Sequence, residues 1–416
     1  MFFLYQIILS LLILFSPIII ILRVLKKKED KKRFVEKFSI PSKKRKDGKL
    51  IWFHGASVGE LLSIVPLIKY YEKKNSINQI LITSSTLSSS RVLKKYNFKK
   101  TVHQFYPIDH IYFTNKFLEY WHPNFVIFIE SEIWPSMFRE IKKRNITLIL
   151  LNARLTKKTF YRWMKIKNFT KSVFKKITIA YPQNLETQTF LKKISANKIN
   201  FIGNLKFAEN QETKNDNINK KLISQLKTKK VWVASSTHAD EEIFCTKAHI
   251  ELKKKFKNLI TIIIPRHVHR VKEIIPTIKK LNLKVIAHSD NSKNLKNIDI
   301  YIVDTFGETK KFHKIGSTVF LGGSIIKRGG QNPLEAARYG SNILHGPNIE
   351  NFKDVYKLLK SLKISKKITS VKELASSIDF KKNKNGGIKI KNIGRIVLKK
   401  TIKELDILIN NEFKKT

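Results

Sequence analysis

Short apolar runs alternate with longer amphipathic stretches over almost the whole of this 416-residue chain, and that alternation admits few folds. The first run, 50–54, ends in Gly55-Ala56-Ser57 and hands over to a helical pattern from Glu60 to Tyr71. Further strand patterns fall at 79–83, 101–106, 125–130, 146–151, 177–181 and 200–203. A polar, charged stretch follows from Ala208 to Lys230, with helical character near 218–226. The pattern then restarts, with strands expected at 231–234, 259–264, 284–287, 298–303, 318–321 and 341–344 and a helical tail from 388 to about 411. Strands separated by amphipathic helices specify mostly parallel α/β sheets. The length exceeds one ordinary core, so two such domains are expected. Neither half carries a G-x-G-x-x-G fingerprint or a G-x-x-x-x-G-K-[ST] phosphate loop, which argues against a dehydrogenase and a P-loop NTPase.

Ahead of the alternation, residues 2–25 are almost wholly apolar, interrupted only by Gln6, Ser10, Ser16 and Arg23. At about 1.5 Å per residue such a helix reaches across a bilayer core of roughly 30 Å. No basic segment precedes it and no small-residue cleavage motif follows, so the expectation is a retained anchor, either spanning or lying in the interface. From Arg23 to Lys49 there are 13 basic residues against 4 acidic. A basic flank of this kind places the body of the protein on the cytoplasmic side and holds it to anionic lipid. The whole chain carries a formal charge of +50, spread along its length and mostly lysine, in a composition also rich in Ile and Asn. Such a field attracts nucleic acid, anionic lipid or phosphorylated substrates without choosing among them. The single cysteine, Cys245, excludes an intramolecular disulfide framework, and no Cys/His spacing suggests structural zinc.

Candidate chemistry sits where expected strands end. Glu60 follows the first strand–turn unit and suits a catalytic base; it equally suits a carboxylate that complements a helix N-terminus. Glu130 in Ile129-Glu130-Ser131-Glu132 ends another strand and is read evenly as a site carboxylate or a cap, whereas Glu132 is read as the cap of a helix beginning near Ile133. Asn152 and Arg154 stand where they could bind an anionic acceptor, and Thr156 reads as a helix cap. Lys206, in Gly203-Asn204-Leu205-Lys206-Phe207, could neutralise a phosphate or carboxylate. In the second half the strand ends carry Ser235-Ser236-Thr237-His238, Pro265-Arg266-His267 and Asp304-Thr305-Phe306-Gly307-Glu308. There, too, two glycine pairs flank Lys327-Arg328 before Gln331-Asn332-Pro333-Leu334-Glu335. In that string Asn332 is expected to cap a helix with Pro333 at its first position, leaving glycine-exposed amides for a phosphate and Glu335 for ribose hydroxyls.

Taken in order, the strings HGASVGE, IESEIWP, LNARL, GNLKF, ASSTH, PRH, DTFGE, LGGS, RGGQNPLEAA and HGPNIENFKD resemble the 3-deoxy-D-manno-octulosonic acid (Kdo) transferases of bacterial lipopolysaccharide synthesis over roughly residues 50–355. The resemblance implies a GT-B fold, with two Rossmann-like doubly wound domains facing a cleft and an N-terminal membrane-anchor helix. It implies inverting transfer of Kdo from CMP-Kdo to a lipid A precursor, lipid IVA, with no cofactor or protein-bound metal, at the cytoplasmic face of a bacterial inner membrane. Glu60 matches the family's proton acceptor, and Glu130 and Lys206 its transition-state stabilisers. Arg266, His267, Phe306, Gly307, Glu308, Asn332, Pro333, Leu334 and Glu335 match its CMP-contacting segments. Departures from the pattern include Gln331 for a usual His, Lys327 for an acidic residue and Ala208 for an Asp. Thr86-Leu87-Ser88 lacks a glycine often found there, and the collar lacks a clear Gly-Glu-Arg string.

The expected organisation is then an anchor over 1–25, a basic collar over 26–49 and an acceptor domain over 50–207. A connector over 208–230, a CMP-sugar domain over 231–385 and a terminal helix over 386–416 complete it. The expected partners are CMP-Kdo, a lipid A precursor and anionic inner-membrane lipid, with no nucleic acid, since no RNA- or DNA-binding module is present. The residues alone leave open a membrane-associated GT-B enzyme using another sugar nucleotide, a basic nucleic-acid-binding membrane protein, or a non-catalytic scaffold.

Overall fold

A computed structural model of the chain describes residues 1–26, 28–208, 219–290 and 294–414. It separates into two compact units, Met1–Asn210 with Gly394–Thr416, and Gln211–Ile393. Ten residues of the expected connector, 209–218, lie outside the described residues, as do Lys27 of the collar and the last two residues.

The first unit is built on β1 (Leu50–His54), β2 (Gln79–Ser84), β3 (Thr101–Phe105), β4 (Phe125–Ile129), β5 (Thr147–Ala153), β6 (Ile179–Pro182) and β7 (Lys198–Ile199). They form one sheet in the order β3-β2-β1-β4-β5-β6-β7 with parallel pairing throughout. β1 and β4 are buried at every residue, so their sequences read as unbroken apolar runs rather than alternating ones. Trp52, Phe117, Trp121, Phe128 and Phe138 fill the core on one face.

The second unit repeats the plan with β8 (Lys230–Thr237), β9 (Leu259–Pro265), β10 (Val285–Ala287), β11 (Ile300–Ile302), β12 (Thr318–Leu321), β13 (Asn342–His345) and β14 (Ser365–Lys367). The order is β10-β11-β9-β8-β12-β13-β14, again parallel. In both sheets the chain starts in the middle, builds to one edge, and then returns to the other side of its first strand. The reversal falls between β1 and β4, and between β8 and β12.

Two expectations needed correction here. The strand expected at 200–203 is absent; pairing ends at Ile199, because Gly203 takes a left-handed conformation (φ 102°) and the side chain of Asn200 turns to Glu404. The short edge strand β14 has the sequence Ser-Lys-Lys, which carries no apolar pattern, and was not expected.

α1 (Phe2–Leu25) is one continuous helix, long and apolar enough by length and composition to cross a membrane. α2 (Val58–Tyr71) follows β1. The terminal helix runs from Lys384 to Phe413, longer at both ends than its pattern suggested. From Gly394 onward it belongs to the first unit, where Tyr70, Thr147 and Tyr181 donate to Asp406, Glu412 and Glu404. Gly394 is where it passes the turn Leu205–Ala208; a Cβ there would stand 2.0 Å from the Phe207 carbonyl oxygen. Alanine normally stabilises a helix interior relative to glycine by about 1 kcal/mol. At this position Gly394→Ala is expected instead to lower stability by about 1–3 kcal/mol through overpacking, measured by denaturant melting of the full chain.

Candidate active site

Glu60 occupies the third position of α2, and Ser57 is its N-cap. The two form a reciprocal capping box: the Glu60 N–H donates to Ser57 Oγ, while Glu60 Oε2 accepts from the N–H groups of Ala56 (2.7 Å) and Ser57 (3.3 Å). The structural reading of Glu60 is therefore realised in full. The same carboxyl is nonetheless perturbed. Burial first, then the nearby carboxylates of Glu132 and Glu130, push its pKa up to about 7, against hydrogen bonds from Ser57 that pull it down.

Glu130 and Glu132 arrive from β4, directly across the reversal. Glu130 follows the last residue of β4 in a left-handed conformation (φ 56°), uncommon for a residue with a side chain. Two hydrogen bonds hold it: its N–H donates to the Leu151 carbonyl, and its own carbonyl accepts from the Arg154 N–H. Lys206 Nζ lies 2.6 Å from Glu130 Oε1, and both side chains are largely buried. Among the expected site residues, the structure thus brings Glu60, Glu130 and Lys206 together in one unit.

Asn152 and Glu132 act differently from expectation. Asn152, also left-handed (φ 54°), is buried at a bulge in β5, and its Oδ1 accepts the Leu205 N–H at 2.9 Å, fixing the turn that carries Lys206. Glu132 does not cap the next helix, which begins at Pro135 without a side-chain cap. Its carboxylate meets His54 Nε2 at 3.0 Å and accepts from the Trp134 indole at 2.9 Å. His54 is fully buried, bonds Thr83 Oγ1 through Nδ1 and stacks on Tyr106. His54 was missed as a site element although it stands in the same string as Glu60. Only the pairing of β1 with β4, which sets His54 opposite Phe128, brings it to Glu132. The expected cap at Thr156 is present.

In the second unit the organising group is Glu241, which sequence reasoning passed over. Its buried carboxylate accepts from the N–H groups of His238, Gly323, Ser324 and Ile325 at 2.6–3.0 Å. The amides of the first glycine pair, expected to be open to a phosphate, are already engaged, Gly323 by Glu241 and Gly322 by the Ser235 carbonyl. Gly322 must be glycine for the same packing, since a Cβ would meet the Ser236 carbonyl at 2.4 Å.

Arg266 and His267 are exposed just beyond β9, and His267 lies edge-on to His238 with ring centres 5.7 Å apart. Phe306 is 84% exposed, followed by left-handed Gly307 (φ 87°), while Glu308 pairs with Lys311. The helix after the glycine string begins at Leu334, one residue later than expected, with Pro333 at the cap and Asn332 Oδ1 accepting the Leu334 N–H. Glu335, expected to face ribose hydroxyls, lies 3.2 Å from Nδ1 of buried His313, whose Nε2 meets Ser235 Oγ. These segments all leave the carboxyl edge of the second sheet, the ligand-binding edge of doubly wound folds. Among the described residues no three His, Cys, Asp or Glu side chains gather as a metal-binding set.

Two such units, each a parallel sheet reversed beside its first strand, are the architecture of GT-B glycosyltransferases. The fold likeness extends over most of the chain: to a glycosyltransferase from Rickettsia africae (TM-score 0.54, 12% identity, 89% of this chain and 100% of that one) and to Anabaena Alr3699/HepE in complex with UDP and glucose (TM-score 0.55, 11% identity, 86% and 99%). Residues 32–209 match the family described as 3-Deoxy-D-manno-octulosonic-acid transferase (kdotransferase). The 3-deoxy-D-manno-octulosonic acid transferase of Rickettsia felis is 38% identical over 343 residues, 82% of this chain and 73% of the relative. That of Rickettsia bellii is 35% identical over 375 residues, 90% and 89%. The chain belongs to the Kdo transferase family.

The raised pKa of Glu60 makes a stability prediction with a definite sign. Below about pH 4.5 the carboxyl is protonated folded or unfolded and burial is tolerated. As pH rises toward 7 the unfolded chain ionises first, so stability is lost across that window. Glu60→Gln keeps the capping geometry without the charge. It is expected to match the wild type at pH 4 and exceed it by about 2 kcal/mol above pH 7, read from denaturant midpoints against pH.

Proposed function

We propose that this chain transfers Kdo from CMP-Kdo to a lipid A precursor of the lipid IVA type, with inversion, and with Glu60 as general base. The observation that carries the reading is the Glu60 carboxyl, set beside two other carboxylates where the first sheet reverses, with its pKa pushed up to about 7. A base of that strength is substantially ionised at neutral pH and still able to take a proton from a sugar hydroxyl. Membership of the Kdo transferase family supports the donor and the class of acceptor.

The steps follow from the groups present. The acceptor O–H bond breaks toward Glu60 as that oxygen bonds to the anomeric carbon of Kdo. The bond from this carbon to the CMP phosphate oxygen breaks, and its electron pair leaves on CMP. The carbon gains oxocarbenium character, which the carboxylates grouped with Glu60 stabilise electrostatically. Lys206, already paired with Glu130, keeps that group from accumulating unbalanced negative charge. CMP is held in the second unit by Arg266, His267, the Phe306-Gly307-Glu308 turn and Asn332-Pro333-Leu334-Glu335. The exposed Arg266 guanidinium suits the phosphate. α1 and the basic residues after it hold the protein at the cytoplasmic face of the inner membrane, where the lipid acceptor resides.

The full chain, given CMP-Kdo generated in situ and a tetraacyl lipid A precursor, is expected to add the mass of Kdo to the lipid. Glu60→Ala is expected to lower that turnover by about 10²–10⁴-fold with CMP affinity unchanged. Turnover equal to wild type would overturn the base assignment. The wild-type kcat/KM is expected to rise with pH through a midpoint near 7 as Glu60 ionises, and a flat profile between pH 6 and 8 would remove Glu60 as the titrating base.

A further inference from the structure

Both ends of α1 are tied to the same compact unit. Near its start, Tyr5 OH donates to Asp109 Oδ2 (2.8 Å), Gln6 Nε2 donates to Ser136 Oγ (2.7 Å), and Gln6 Oε1 accepts the Ile111 N–H (3.1 Å). Ser10 Oγ meets His110 Nε2 at 3.2 Å, and the Arg139 guanidinium lies over the Phe2 ring at 4.4 Å. Asp109 is itself fixed, accepting the N–H groups of Ser136 and Met137 at the start of a core helix. At the other end, Arg23 bonds the buried Glu29, which also receives Lys37. The Lys37 carbonyl in turn accepts the Ile108 N–H, one residue before Asp109.

The covered residues of α1 form one stripe along its length. Phe2, Tyr5, Gln6, Leu9, Ile13, Ser16, Ile20 and Val24 are wholly or partly covered, and at about 100° per residue they fall within a band about 100° wide. The polar residues Tyr5, Gln6, Ser10, Ser16 and Arg23 lie in that band or beside it. The rest of the surface is apolar and exposed, with Phe3, Leu11, Leu14, Phe15, Ile18 and Leu25 each more than half exposed. A helix about 36 Å long whose two ends both meet one globular unit cannot place those ends on opposite sides of a bilayer.

We propose that α1 is an in-plane membrane helix: it is sunk into the acyl boundary of one leaflet, with both ends on the side of the protein's body, and its polar stripe is docked on the first unit. Lys26, Lys28, Lys31 and Lys32 follow directly and meet anionic headgroups of the same leaflet, the complement their charge requires. In a spanning helix Gln6 and Ser10 would face hydrocarbon without their partners. The proposal rests on the membrane attachment argued above, and the two are separable by experiment.

Purified full-length protein is expected to bind phosphatidylglycerol-containing vesicles at least about tenfold more tightly than phosphatidylcholine vesicles. Failure to bind either would overturn membrane attachment itself. The full chain with an epitope tag ahead of Met1 is then expressed and recovered in inside-out inner-membrane vesicles, with added protease. In the in-plane arrangement the tag is cleaved without detergent, at the same face as the body. A tag protected until detergent is added overturns the in-plane helix while leaving attachment intact. In the Tyr5→Phe/Gln6→Leu variant, vesicle binding is expected to persist while a protected fraction of the tag appears. A tag as fully cleaved as in the wild type would overturn the polar contacts as what holds that end.

Discussion

A parallel sheet fed from its middle leaves two neighbouring strands whose connections depart in opposite directions, so the backbone parts between their carboxyl ends. In the first unit this happens between β1 and β4, and in the second between β8 and β12. The clustered carboxylates of the first unit, and the histidine paired with one of them, leave those two strands. His54 ends β1 and Glu60 follows it, while Glu130 and Glu132 follow β4. The second unit places Glu241 after β8 and the glycine string after β12, and there the carboxylate closes the opening itself by taking four backbone N–H groups. One topology thus yields a site crowded with negative charge in one unit and a rigid, internally bonded loop in the other.

The crowding in the first unit is held in balance by a few contacts. Three carboxylates share a small volume with one lysine and one buried histidine. Lys206 answers Glu130 and His54 answers Glu132, which leaves Glu60 without a cationic partner of its own, and burial first and the neighbouring carboxylates second raise its proton affinity. Backbone geometry enforces this division. Left-handed Glu130 and Asn152 stand at neighbouring strand ends, and Asn152 holds the turn from which Lys206 reaches Glu130. Strain of this kind persists only where surrounding structure over-determines it, and the bonds to Leu151, Arg154 and Leu205 do so here.

Much of this was legible in the sequence because it depends on local pattern. Unbroken apolar runs marked β1, β4 and β9 to within a residue or two, since strands buried on both faces need nothing else. Glu60 and Glu130 were legible as residues after strand ends and through family resemblance, and Lys206 through the resemblance. What escaped was set by tertiary contact. The partnership of Glu132 with His54 exists only because β1 and β4 are adjacent, and the role of Glu241 only because β8 lies beside β12. The edge strand β14, with two lysines in three residues, depends on its neighbour for its conformation and has no apolar signature. The expected strand at 200–203 failed for the converse reason: apolar residues are present, but left-handed Gly203 turns the backbone away.

The path of the terminal helix has a consequence for how the molecule is made. Its last twenty or so residues complete the core of the unit that the amino-terminal half began, through Leu405, Ile409 and the bonds to Tyr70, Thr147 and Tyr181. During synthesis that half emerges from the ribosome long before its final helix, and must wait for the entire second unit to be translated. Until that helix has emerged, the nascent amino-terminal half is a structure with a missing wall.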